Sequence, residues 1–338
     1  MLRSALLTFR MHRFEVLITS ALVALTAISA VVAYTHLAAA NPPDDCWIQN
    51  WGNMFGDVTE RTPGCEALVE AFWPVASQAG FVASPIAVLL PFVVGLLLGV
   101  PVVGREIEMR TATLAWSLSG DRRRWLLSRL LPVLALAVIG LVVGAVLVAE
   151  MARAAHPWNY LGPGRIPSLT EIGSEGAPLV GRGLMALGLA VLAGAVIGRP
   201  LPAFAVSAAL SFVFLFAGVP AHQTAVGSQL AVWRGAPYGG DTVGFGDLPH
   251  LYWGEYRQEY RLRDGQIVYD YWESGAELCS CTDRALDEWI KENVTQFELV
   301  VPLEHYGTFE ATETALTTGI GAVALLLTFP VVARRRPD

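Results

Sequence analysis

Gly104 to Leu130 read GREIEMRTATLAWSLSGDRRRWLLSRL. The segment holds six Arg and three acids, whereas both neighbours, Phe81 to Val103 and Leu130 to Ala149, carry no charge. Each flank approaches or reaches the ~20 apolar residues that a membrane-crossing helix needs. A charged segment this short between two such flanks is a loop at one membrane face. Its Arg excess predicts the cytoplasmic face, because short cytoplasmic loops are rich in Lys and Arg. Glu106 to Leu118 holds few helix breakers and is expected to form one helix. Its polar face carries Glu106, Arg110 and Thr113, and its apolar face carries Ile107, Leu114 and Leu118. Gly120-Asp121 ends it, and Arg122 to Leu130 leads into the next span. A basic loop can do no more than set topology. A rigid helix held at the membrane surface can also dock a cytoplasmic partner.

The same residues carry a family resemblance. Arg105, Glu106 and Glu108 are followed by Thr111, then by Leu114, Ala115, Trp116 and Ser119, then by Arg122-Arg123-Arg124-Trp125. This series resembles the permease subunits of type-2 ABC exporters, especially the six-span kind common in actinobacteria. Arg110 stands where that family usually has Gly. Phe309-Glu310-Ala311-Thr312-Glu313, ahead of the last apolar run, is similar to the family's aromatic, Glu-bearing entry helix. The resemblance implies that the loop is a coupling helix seated in a cleft of a separate ABC ATP-binding subunit. It makes Arg105, Glu106, Glu108, Arg110, Thr111, Leu114 and Trp116 the ATPase-coupling residues. ATP and Mg would be held by that partner, with no cofactor in this chain, and a second copy of the chain would complete the pathway. Arg122, Arg123 and Arg124 adjoin the third span and are expected to anchor it to anionic headgroups.

Composition agrees with a bilayer as solvent. Of 338 residues 54% are hydrophobic and 16% charged, with mean hydropathy +0.47, against about 25% charged in soluble domains. The net charge of −7 hides an asymmetry. Gly104 to Leu130 is +3, while Ala221 to Glu310 is −9 (five Arg and Lys291 against fifteen acids). Basic residues lie in short clusters and form no basic domain, which argues against a nucleic-acid partner.

The expected fold is an all-α membrane protein of six transmembrane helices with an extracellular α+β insertion between the fifth and sixth. In chain order this places a cytoplasmic interfacial helix at 1–14, the first span at 15–40, an extracellular loop at 41–80 that is part helical from Cys65 to Phe72, and the second span at 81–103. The coupling segment at 104–130 precedes the third span at 131–152 and a Gly- and Pro-rich extracellular loop at 153–182. The fourth and fifth spans follow at 183–219, the extracellular domain at 220–310, and the sixth span with its cytoplasmic tail at 311–338. The basic start and first apolar run imitate a signal peptide, but Val16 to Ala33 alone exceeds the 7–15 residues of a signal core. Both termini are expected in the cytoplasm and the protein in the plasma membrane. Gly95/Gly99, Gly140/Gly144 and Gly194/Gly198 are small-xxx-small pairs that let helix backbones approach, within one chain or between two. In the insertion, Tyr260 to Tyr269 predicts a hairpin on Asp264-Gly265, and Thr282 to Val294 predicts an amphipathic helix.

Cys46, Cys65, Cys279 and Cys281 all fall in segments placed outside, which points to disulfides. Three pairings are possible. Cys46 with Cys65 is the most natural, closing a loop of about 20 residues. Cys279-Ser280-Cys281 is too short to bridge comfortably, so a strained local bond or links across the two outside segments stay open, as does a thiolate metal site.

The one lysine, Lys291, lies between Ile290 and Glu292 in the acidic insertion. The chain therefore cannot carry the Gly-Lys-Ser/Thr loop that cradles ATP phosphates, and no convergent catalytic set is visible. The reading is a non-enzymatic permease for an amphipathic or hydrophobic substrate such as a drug, lipid or peptide. The alternative is a membrane-anchored sensor or assembly factor with a ligand-binding ectodomain.

Overall fold

A computed structural model describes residues 13–43, 46, 64–112, 116, 121–155, 176–227, 231–237, 251–268, 279 and 283–335. The interfacial helix expected at 1–14 lies almost wholly outside the described residues. So do 47–63 of the first loop, 156–175 of the second, Leu114 and Cys281.

The chain is mostly helical. Helices α1 (Arg13–Ala40), α2 (Cys65–Gly99), α3 (Pro101–Glu108), α4 (Arg122–Ala155), α5 (Gly176–Ile197) and α6 (Pro200–Gly227) precede a small α+β unit. That unit comprises β1 (Ala231–Pro237), β2 (Leu251–Leu262), β3 (Ile267–Val268), α7 (Asp283–Asn293) and β4 (Val294–Pro302), and the long α8 (Leu303–Arg334) closes the chain. Among the described residues, five stretches are long and apolar enough to cross a membrane: Val16–Ala40, Val88–Glu108, Arg122–Ala155, Gly176–Ile197 and Gly307–Arg334. In α6 the corresponding apolar stretch is the shorter Pro200–Phe214.

Several boundaries differ from the sequence expectation. The helix expected from Cys65 to Phe72 is present but does not stop there, running unbroken from Cys65 into the span. Pro101 then splits α2 from α3, because proline has no N–H to continue the ladder. The ladder resumes at once, with Gly104 N–H donating to the Val100 carbonyl at 3.3 Å. At 34 residues and about 1.5 Å per residue, α4 is about 50 Å long, well beyond the ~30 Å hydrocarbon core, so it projects from the bilayer. Helix α5 begins at Gly176, inside the segment expected to be loop to 182.

Helices α1, α2 and α4 meet at the end away from the Arg-rich loop. There Leu37, Val69, Phe72, Met151 and Ala155 bury one another. Cys46 and Cys65 are joined by a disulfide, with Cα atoms 5.1 Å apart. Cys279 is disulfide-bonded as well.

The four strands form an antiparallel sheet in the order β1-β4-β2-β3. The expected hairpin is present: Tyr260 pairs with Val268, and Gly265 takes φ 89 in the turn. The expected amphipathic helix is α7, whose Leu286 and Ile290 are buried with Leu262, Val268 and Val294.

The centre of the bundle is α5, and small residues explain why. A Cβ on Gly95 would lie 2.5 Å from the Gly183 carbonyl, and one on Gly99 2.8 Å from the Leu187 carbonyl. A Cβ on Gly194 would lie 2.8 Å from the Val100 carbonyl, and one on Gly188 would strike the Gly321 carbonyl of α8. Gly95/Gly99 and Gly194 thus serve packing within the chain. Gly198 ends α5 in the left-handed region at φ 70. We expect Gly188→Ala to separate α5 from α8 and destabilise the protein by about 1–3 kcal/mol, the usual range for overpacking. Gly319→Ala, where nothing lies within 4 Å, should be neutral. Melting of detergent-solubilised protein followed by Trp fluorescence distinguishes the two.

Candidate functional site

The charged loop, the start of α4, the end of α5 and the end of α8 converge at one end of the bundle. Four polar devices hold them. The first stops α3. Thr111 N–H donates to the Glu106 carbonyl at 3.0 Å and Arg110 N–H to the Ile107 carbonyl at 3.1 Å. These are the two bonds of a Schellman cap, whose C′ residue must be left-handed. Arg110 is that residue, at φ 56. The helix expected over Glu106 to Leu118 is therefore interrupted: α3 ends at Glu108, Arg110 lies in a turn, and Ala112 and Trp116 are again helical. The stop signal is hidden because a glycine, the usual occupant of this position, is absent.

The second device is an ion pair. Glu106 Oε1 lies 2.7 Å from Arg129 Nη2, with side chains 5% and 11% exposed. Glu106 therefore faces the interior and ties α3 to α4, and the expectation that it presents a polar face to a partner is corrected. The geometric reason is that α3 continues the span, so the register of α2 turns Glu106 inward. Arg129 escaped sequence reading because 22 residues separate the partners.

The third device is aromatic. Trp116 and Trp125 are buried and meet edge to face, with ring centroids 6.0 Å apart, and the Arg122 guanidinium sits 4.6 Å above the Trp116 ring. Asp121 caps α4, its Oδ1 accepting the Arg123 N–H at 3.0 Å.

The fourth is a pair of guanidiniums on helix C-termini. Arg122 Nη1 donates to the carbonyls of Val332 (3.4 Å), Ala333 (3.0 Å) and Arg335 (2.7 Å) at the end of α8. Arg335 Nη1 in turn donates to the carbonyls of Ala195 and Val196 at the end of α5. The last carbonyls of a helix lack intrahelical partners and carry partial negative charge, so a cation there satisfies both. Arg122 is thus corrected from membrane anchor to internal tie, while Arg123 and Arg124 are exposed. Glu108, Arg110 and Thr111 are exposed too, Arg105 is half-buried, and Leu114 lies outside the described residues.

One further pair lies near the opposite end. Arg182 of α5 donates from Nε to Glu313 Oε1 of α8 at 2.8 Å, with Nη2 2.6 Å from the same oxygen. Both belong to membrane-length stretches, Gly176–Ile197 and Gly307–Arg334. The loop boundary expected at 182 therefore falls inside a helix. Charges within spans are tolerated where they face the interior and pair, as these do.

A family model described as ABC-2 membrane transporter related matches residues 20–221. The match runs from α1 through the charged loop into α6. No curated protein and no solved structure matches the chain.

Breaking a buried ion pair by removing one partner typically costs about 3–5 kcal/mol, whereas replacing both can be nearly neutral. Glu106→Gln and Arg129→Gln should each lower the melting temperature, and the double variant should recover much of the loss. Arg110→Gly should stabilise the chain by about 1 kcal/mol, since left-handed backbone penalises any residue with a Cβ by roughly that much. Thermal melts of the four purified variants check both expectations.

Proposed function

The chain belongs to the ABC-2 membrane transporter related family, a multi-pass membrane protein on that ground and on its membrane-length helices, and from this premise we propose that it is the permease subunit of an ATP-driven exporter. In this reading α6 completes a set of six spans, both termini and the charged loop face the cytoplasm, and the sheet unit lies outside. A separate ATPase subunit binds ATP and Mg, and two permease copies enclose the path. The chain itself catalyses nothing. The substrate is amphipathic or hydrophobic (a drug, lipid or peptide), in keeping with spans whose charges are tied up in pairs.

The observation that carries the reading is the build of the loop end. A surface that receives force must present contacts outward and be braced inward. Glu108, Arg110, Thr111, Arg123 and Arg124 stand at the surface, and directly behind them Glu106–Arg129 and the Trp116–Arg122–Trp125 stack join the turn to three helices. A bare topogenic loop needs no such bracing. The sensor reading draws on the folded sheet unit, but it gives the braced loop no task.

The test is reconstitution with an ABC ATPase, sought first among the genes neighbouring this one. We expect the two to co-purify and the permease to stimulate ATP hydrolysis. The double charge reversal Glu108→Arg/Arg110→Glu should weaken association about tenfold or more, the scale for reversing charges at an interface, with insertion unchanged. Absence of any ATPase association would leave the sensor reading in place.

A further inference from the structure

We propose that Arg122 is the positioning residue through which the charged loop drives the last helix, so that α5 and α8 move with the loop as one body. The inference rests on the permease reading above and deepens it.

Helices α5 and α8 are joined at three levels. Near one end, Arg182 pairs with Glu313. In the middle, Gly188 and Gly321 bring the two backbones into contact. At the other end, Arg335 donates to the Ala195 and Val196 carbonyls. Two helices fixed at three levels cannot tilt or slide independently, because any such movement breaks a directional bond or drives backbone into backbone.

The loop is fastened differently to its two sides. Towards α3 and α4 it is continuous in the chain and locked by Glu106–Arg129. Towards α8 the polar tie is Arg122, which reaches from the first residue of α4 to three carbonyls at the end of the last helix. The same guanidinium lies on Trp116, the buried aromatic of the loop. It therefore sits between the loop and α8 and contacts both. A push on the loop that moves Trp116 moves Arg122, and hydrogen bonds from a cation to helix-end carbonyls transmit pull as well as push. Packing of α3 on α5 at Val100, Gly104 and Gly194 can push the α5–α8 body, which carries the part-buried Arg182–Glu313 pair, whereas the Arg122 tie can also pull it and acts on α8 directly.

The test measures displacement, which a merely stabilising residue would not redirect. The permease–ATPase complex is placed in lipid nanodiscs, with labelled chain diluted by excess unlabelled chain. Spin labels go on introduced cysteines at Leu25 and Met109, to report loop motion, or at Leu25 and Leu326, to report α8 motion. All three positions are exposed. Pulsed EPR distances are compared without nucleotide and after trapping with ADP and vanadate. In the wild type both distances should shift. Arg122→Met keeps an apolar body against Trp116 but removes the donor. It should retain ATPase binding and the loop shift and lose the part of the α8 shift that the three carbonyl bonds transmit. Arg122→Lys restores an N–H cation and should recover most of the shift, and Arg122→Gln substitutes for Arg122→Met if the latter does not fold. An undiminished α8 shift in Arg122→Met or Arg122→Gln overturns the proposal. A wild type with no ATPase binding or no loop shift overturns the permease reading and this inference with it, so the two failures are told apart by which protein shows them.

Discussion

Close approach of backbones at α5 is the constraint on which this structure rests. In lipid there is no hydrophobic gain from putting one apolar helix against another, so helices associate through packing and polar contacts. Helix α5 meets that demand with Gly181, Gly183, Ala186, Gly188, Ala190, Ala193 and Gly194 buried along its length. It presents little side chain and much main chain, and α2, α3 and α8 come down onto it until carbonyls and α-carbons touch. Dispersion contacts are individually weak, so the gain depends on the number made at optimal distance, which small residues maximise.

Charge follows a complementary rule. Where the bundle interior holds an ionised side chain, that side chain has a named partner on another helix. Glu106 meets Arg129 and Arg182 meets Glu313. Arg122 and Arg335 meet helix-end carbonyls instead of carboxylates. These arginines convert loose helix ends into fixed points. The fixed points cluster at the Arg-rich end, which makes that end stiffer than lipid-facing packing alone would.

Five of the six expected spans are legible as membrane-length helices because apolar runs and clustered Arg are signals of composition, which survive without knowledge of neighbours. The hairpin on Asp264-Gly265 and helix α7 were legible for a similar reason: turn chemistry and amphipathic period are local. Boundaries were harder. The helix at Cys65 to Phe72 is legible, but its continuation into the span is not, because it depends on α1 and α4 extending alongside and burying Val69 and Phe72. The loop end was legible in location and misread in detail. Glu106 and Arg110 look alike on a helical wheel, but one is turned inward by the register of the span and the other stops the helix in a conformation that its residue type disfavours. Arg122 was grouped with Arg123 and Arg124 because adjacency is all that a run of arginines reveals. Its three carbonyl acceptors lie more than 200 positions away.

The disulfide between Cys46 and Cys65 has a consequence for biosynthesis. It joins the segment after α1 to the first residue of α2, on the far side of the bundle from the Arg-rich loop. The bond can form only after both cysteines have reached an oxidising compartment, which requires α1 to have inserted in its final orientation and the start of α2 to have emerged beside it. Once closed, it removes the freedom of either helix to reinsert the other way round. Oxidation therefore ties the segment after α1 to the start of α2 covalently, so that neither helix can leave the other's side while the bond stands.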